Sequence, residues 1–134
     1  MSAFSPTLGH WFAVAGGGAL GAVLRFWVAT RLIPVGAFPA WPWGTFTVNM
    51  AGSLLFGFLA VWLAGNSAFH EQLRYLLMMG LLGSFTTYST FSFEVVRLLD
   101  GGAWTLAAGY GLTTLVGCVA FAGLGLGMAR VLLE

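Results

Sequence analysis

Between Leu82 and Val95 the chain reads Gly83-Ser84-Phe85-Thr86-Thr87-Tyr88-Ser89-Thr90-Phe91, followed shortly by Glu94. Six hydroxyl side chains and three aromatic rings crowd this run, inside a stretch otherwise apolar enough to lie in a bilayer. Polar or broken backbone survives at membrane depth only where protein buries it or where it lines a cavity. Two kinds of ion chemistry are open to such residues. An unwound turn frees carbonyls, which suit a cation such as sodium, or frees N–H groups, which suit an anion. Hydroxyls and the positive edges of aromatic rings can replace water around a small anion without a formal charge.

Other polar residues recur at helical spacing. Thr45, Asn49 and Ser53 are four apart, so they share one helix face. Asn49 is costly in lipid and should point inward, either to hydrogen-bond a neighbouring helix or to line a polar path. Tyr110, Thr114 and Cys118 repeat the pattern, and Tyr110 and Thr114 can donate hydrogen bonds. Arg25 lies within an apolar segment, where it either snorkels to the interface or faces a water-filled vestibule. Glu94 can pair with Arg25 or Arg97 or accept a hydrogen bond from a hydroxyl.

The elements that hold these residues follow from composition. Of 134 residues, 59% are hydrophobic and 7% charged, with a net charge of +1 and no lysine. Soluble domains carry about 25% charged residues, so the chain is expected to be an integral membrane protein with almost no mass outside the bilayer. No basic surface for nucleic acid is expected. Four spans reach the roughly 20 apolar residues a crossing helix needs, at about 11–32, 43–64, 73–99 and 104–133. The fold class is therefore an all-α membrane protein of four transmembrane helices, broken in the third near Gly83. Residues 1–134 form a single domain. The connections are Pro34 to Pro42, Gly65 to Gln72 and Asp100-Gly101-Gly102. Trp11, Trp41, Trp43, Trp62 and Trp104 fall near span ends, as interfacial anchors do. No cleavable signal peptide is expected; the first helix should direct its own insertion.

Arg74 and Arg130 fall on one side of this topology and Arg31 and Arg97 on the other. The positive-inside bias cancels, so the chain can insert both ways and two opposed copies can pair. Gly17 and Gly21, extended by Ala13, and Gly123, Gly125 and Gly127 form small-residue rows that let helices approach closely. Cys118 is the single cysteine, which excludes an intrachain disulfide and a cysteine metal cluster, and it reads as a packing residue. His10 and His70 sit at span ends, so a histidine metal site is not expected. No catalytic Ser–His–Asp set or phosphate loop appears, and an enzyme is not expected.

Three ordered motifs carry a resemblance. They are Gly17-Gly18-Ala19-Leu20-Gly21-Ala22-Val23-Leu24-Arg25, Trp43-Gly44-Thr45-Phe46-Thr47-Val48-Asn49-Met50-Ala51-Gly52, and the run from Gly80 to Glu94. From Gly16 to about Cys118 the chain resembles the CrcB/Fluc family of fluoride channels. The resemblance implies a dual-topology antiparallel homodimer with two pores, exporting fluoride passively across a bacterial inner membrane. It implies a structural, untransported sodium ion at the dimer centre, held by the backbone carbonyls of Gly83 and Thr86. Asn49 would be the pore-lining amide. Tyr88 and Phe91 would fill the two positions of the family's phenylalanine box, with Ser89 and Thr90 beside them as a polar track and Glu94 nearby. Thr114 would supply the fourth-helix pore hydroxyl, close to Tyr110, and Arg25 would stand at the vestibule. Tyr88 departs from the pattern, which has phenylalanine there; its hydroxyl could donate to fluoride, bond Asn49 or turn the ring.

The main rival is a small dual-topology drug exporter, which needs a buried carboxylate in its first helix. This first helix has Arg25 and neither Asp nor Glu. A non-transporting assembly subunit would have no use for converging polar faces.

Overall fold

The structure, a computed structural model, describes residues 6–32, 38–64 and 68–133. Among them every regular element is helical. Helix α1 spans Leu8–Arg31, α2 Trp43–Trp62 and α3 Ala68–Leu73. A π-helical segment, Arg74–Leu82, runs on from α3 and is continued by α4, Gly83–Phe85. Helix α5 spans Tyr88–Asp100 and α6 Trp104–Leu133. Three helices, α1, α2 and α6, are long and apolar enough to cross a membrane.

The third span was expected to be broken, and no single helix covers 73–99. Backbone helicity holds through Gly83 (φ −62°, ψ −32°) and fails at Thr86 (ψ 158°) and Thr87 (φ −152°, ψ 117°), both extended. The break thus falls within the hydroxyl run, three residues beyond Gly83, the glycine expected to ease it. Hydroxyl competition explains its position. Thr86 donates from both its N–H (3.1 Å) and its Oγ1 (2.9 Å) to the Leu82 carbonyl, ending the first half. Thr87 Oγ1 accepts from the Thr90 N–H at 3.3 Å and so caps the start of α5.

The other boundaries shift less. The first helix starts three residues before the expected Trp11, the second ends at Trp62 rather than Ala64, and α6 matches its expected range. Residues 33–37 and 65–67, within two of the expected connections, lie outside the described residues. The third connection is a tight turn: Gly102 takes φ +75°, and the Gly101 and Ala103 N–H groups donate to Arg97 and Leu98 carbonyls at 3.0 and 2.8 Å.

Packing rests on backbone proximity more than on large side chains. Ala13, Gly17 and Gly21 form the buried stripe of α1 and lie against the π segment. A Cβ on Gly21 would meet the Leu81 carbonyl oxygen, and one on Gly17 that of Leu76. Helix α2 meets α6 the same way, Gly57 against the Ala122 carbonyl and Gly125 against that of Leu54. Gly123 and Gly127 face open space instead. One apolar cluster stands apart from this pattern. Leu98, Ala107 and Tyr110 are buried together, flanked by Trp41, Phe46, Phe91 and Val95, and they fasten α5 to α6. Much of the remaining surface is apolar, with Trp11, Phe26, Val119 and Val131 among the exposed residues, as a bilayer solvent allows.

Candidate functional site

Asn49 of α2 is buried and faces the helix break. Its Nδ2 donates to the Thr87 carbonyl at 3.0 Å, and its Oδ1 accepts from the Thr87 N–H at 2.8 Å. The Oδ1 therefore replaces the carbonyl that a continuous helix would offer the Thr87 N–H, and Nδ2 holds the carbonyl of the same residue, the N-cap of α5. A carboxamide has two N–H donors, so one remains after this clamp. Gly52, one turn further along α2, leaves room for the Thr86 methyl; a Cβ there would collide with Thr86 Cγ2.

The clamp forms one wall of a groove of about 370 Å³ between α2, the break and α6. Asn49, Ser53, Thr87, Tyr88, Phe91 and Thr114 are among its lining residues. The Tyr88 and Phe91 rings lie 5.6 Å apart, tilted by 48°, and Phe91 lies 5.2 Å from the Tyr110 ring. Tyr88 is 80% exposed, so one chain leaves this side of the groove uncovered. Its position answers one question about its hydroxyl: the Asn49 bonds go to Thr87, not to Tyr88. Thr114 is only 4% exposed, and its Oγ1 is buried without a hydrogen-bond partner. An unpaired buried hydroxyl costs about 1–3 kcal/mol, and its residue is one of those that line the groove.

A second polar centre lies on the far side of α5. Glu94 accepts from Thr45 Oγ1 at 2.8 Å through Oε1 and from Tyr110 OH at 2.7 Å through Oε2. Of the three arrangements open to Glu94, the structure has the hydroxyl-bonded one, and it ties α2, α5 and α6 together through one carboxylate. Thr45 and Glu94, with Thr90 and Arg97, line a separate groove of about 510 Å³.

The expected site residues are thus divided between two grooves. Asn49, Tyr88, Phe91 and Thr114 share the first. Thr90 and Glu94 line the second, and Tyr110 reaches Glu94 from α6. Ser89 is exposed, with its hydroxyl 3.4 Å from Thr87 Oγ1. Arg25 is half-buried on α1 and lines neither groove. Thr87 closes the Asn49 clamp and Thr45 holds Glu94. Spacing had placed Thr45 on the Asn49 face and Thr87 within the hydroxyl run, but neither residue's partner was legible from it.

The carbonyls of Gly83 and Thr86 fit a cation in one testable respect. In an unbroken helix the Gly83 carbonyl would accept from the Thr87 N–H and the Thr86 carbonyl from the Thr90 N–H. Those two N–H groups go to Asn49 Oδ1 and Thr87 Oγ1. Both carbonyls are thereby released from helical bonding, which is the chemistry a broken membrane helix offers to sodium.

Apolar crossing helices that pack around a broken helix and a hydroxyl-lined groove define a multi-pass membrane protein with polar groups at membrane depth. A family model described as CrcB-like protein, Camphor Resistance (CrcB), matches residues 12–126, and the chain belongs to that family. A protein of Novosphingobium aromaticivorans named fluoride-specific ion channel FluC is 49% identical over 119 residues, covering 87% of this chain and 93% of its own. Proteins of the same name from Agrobacterium fabrum and Bordetella bronchiseptica are 44% and 38% identical. The first of these two alignments covers 85% of this chain and 92% of the relative. The second covers the full length of both. These relatives are named as channels and not as enzymes.

Proposed function

We propose that this chain is a fluoride-selective channel, built as an antiparallel homodimer in a bacterial inner membrane. It releases cytoplasmic fluoride passively down its electrochemical gradient. Family membership and the relatives' names support the ion. The observation that carries the site is the Thr114 hydroxyl, buried and unpartnered at the wall of a groove shared with Asn49, Tyr88 and Phe91.

The energetics require such a groove. Moving even a carboxylate-sized ion into a dry medium costs on the order of 20 kcal/mol, and fluoride is smaller. The pathway must replace its water with successive donors, none strong enough to trap it. Asn49 retains one amide N–H, Thr114 can turn its O–H into the groove, and Tyr88 and Phe91 present ring edges. Tyr88 adds a hydroxyl donor to that set. The uncovered Tyr88 side is the reason for a second copy, because one chain leaves the groove open there. Balanced arginines permit the copy to be inverted. Gly83 and Thr86 would hold the structural sodium between copies. One chain supplies two such carbonyls and a pair supplies four. The sodium would pin the two breaks together without being transported.

Fluoride efflux from liposomes tests this reading, with valinomycin shunting potassium and a fluoride electrode as detector. Wild-type protein is expected to release trapped fluoride rapidly. Thr114→Val is expected to slow release about tenfold, the loss of one hydrogen bond to an ion, while the thermal midpoint stays the same or rises because an unpaired hydroxyl has gone. No efflux from folded wild-type protein would defeat the channel reading. Unchanged efflux from Thr114→Val would remove Thr114 from the path.

A further inference from the structure

The second groove, between α1, α2 and α5, holds a cation that the site described above does not use. Arg97 lies in the last turn of α5 with its guanidinium carbon 5.6 Å from the centre of the Phe38 ring. The ring's place is built into the turn that follows: a Cβ on Gly101 would collide with Phe38 Cε1, so glycine there makes room for the aromatic shelf. Glu94 is three residues before Arg97 on the same helix and in the same groove. Its two oxygens are nevertheless taken by Thr45 and Tyr110, and among the described residues no ion pair joins it to Arg97. The carboxylate is held by neutral hydroxyls, and the guanidinium, packed on a ring, keeps its N–H edges for something else.

Thr90 lines the same groove. Its Oγ1 accepts from Thr87 Oγ1 at 3.0 Å, which leaves its own hydroxyl proton uncommitted to Thr87. Thr87 lines the first groove and Thr90 the second. The hydroxyl pair therefore links the two grooves.

We infer that Arg97 forms a capture site for a small monovalent anion at the mouth of the pathway, delivering it to the Thr90 hydroxyl that the family resemblance already assigns to the pore. This rests on the fluoride reading above and deepens it, by naming where the ion is first held. An exposed cation beside low-dielectric walls concentrates anions at a cleft. Arg97 would do so with its N–H edges not taken up by an ion pair to Glu94.

Reconstituted wild-type, Arg97→Gln and Arg97→Lys proteins are compared for fluoride efflux across a range of internal fluoride concentrations, each at low and high impermeant salt. Arg97→Gln is expected to raise the fluoride concentration for half-maximal flux about tenfold, the low end of the gain from a charged cleft, with little change in maximal flux. Arg97→Lys is expected to stay within about threefold of wild type, since a point charge on a flexible stem replaces the fork. High salt, with a screening length of about 3 Å at 1 M, is expected to move wild type towards the Arg97→Gln value and to leave Arg97→Gln unmoved. Wild-type flux with no salt dependence overturns the inference even where Arg97→Gln fails to fold. So does an Arg97→Gln curve that overlays wild type. Either result leaves the channel reading standing, whereas absence of fluoride flux from wild type defeats that reading first.

Discussion

Asn49→Asp is expected to cut fluoride flux at least about a hundredfold without dispersing the folded protein. The substitution keeps the shape of the side chain and one acceptor for the Thr87 N–H. It removes the Nδ2 donor that binds the Thr87 carbonyl at 3.0 Å and the second N–H proposed to face the ion. It also sets a negative charge in the path. At about 5 Å and an effective dielectric constant of about 20, two unit charges repel by roughly 3 kcal/mol, which alone is about a hundredfold. Efflux per amount of folded protein, normalised by size-exclusion elution, is the measurement. Flux within threefold of wild type would show that Asn49 serves the clamp on Thr87 and not the ion.

The second large effect concerns the scaffold. Gly57→Val is expected to destabilise the helix pair α2–α6 by about 3 kcal/mol, the upper part of the range for overpacking. The first added carbon would already collide with the backbone carbonyl of Ala122 and stand 3.0 Å from the Leu126 nitrogen. Backbone cannot swing aside as a flexible side chain can, so the helices must separate. Separation would also pull Thr114 of α6 away from Asn49 of α2 and widen the groove. A thermal unfolding series in detergent should show a clear fall in midpoint for Gly57→Val. Gly123→Val, whose new side chain meets open space, should stay close to wild type. Equal midpoints for the two variants would contradict the packing described.

Much of the architecture was legible because membrane spans advertise themselves by length and hydropathy. Three of the four expected spans correspond to single long helices. The break in the remaining one was legible as a cluster of hydroxyls, but which threonines of the run would leave the helix was not. Glycine marks where a helix can bend, and here Gly83 stays helical. The choice of Thr86–Thr87 is made by two threonine hydroxyls and by Asn49, which lies 38 positions away in sequence. No local pattern contains that contact. The π-helical geometry of Arg74–Leu82 was equally invisible, since its apolar sequence fits an ordinary helix as well.

The polar residues tell a similar story. Thr45, Asn49 and Ser53 were placed on one face by spacing, yet spacing could not divide them. Thr45 goes to Glu94, while Asn49 and Ser53 go to the groove at the break. Among the arginines, Arg25 drew attention because it sits within an apolar helix. Arg97, at the end of α5, is the one that lines a groove with hydroxyls and a carboxylate. Its ring partner, Phe38, lies 59 positions earlier, so nothing near Arg97 in sequence signalled the pairing.

Selective passive conduction of fluoride is the central claim, and a reversal potential tests it most directly. Purified protein in a planar bilayer is held between fluoride on one side and chloride on the other, at equal concentration with a common impermeant cation. The account predicts steady current that reverses far from zero, on the side set by fluoride alone. A reversal potential near zero would mean that chloride passes as readily, and no current from correctly folded protein would mean that no open anion path exists; either would contradict the account.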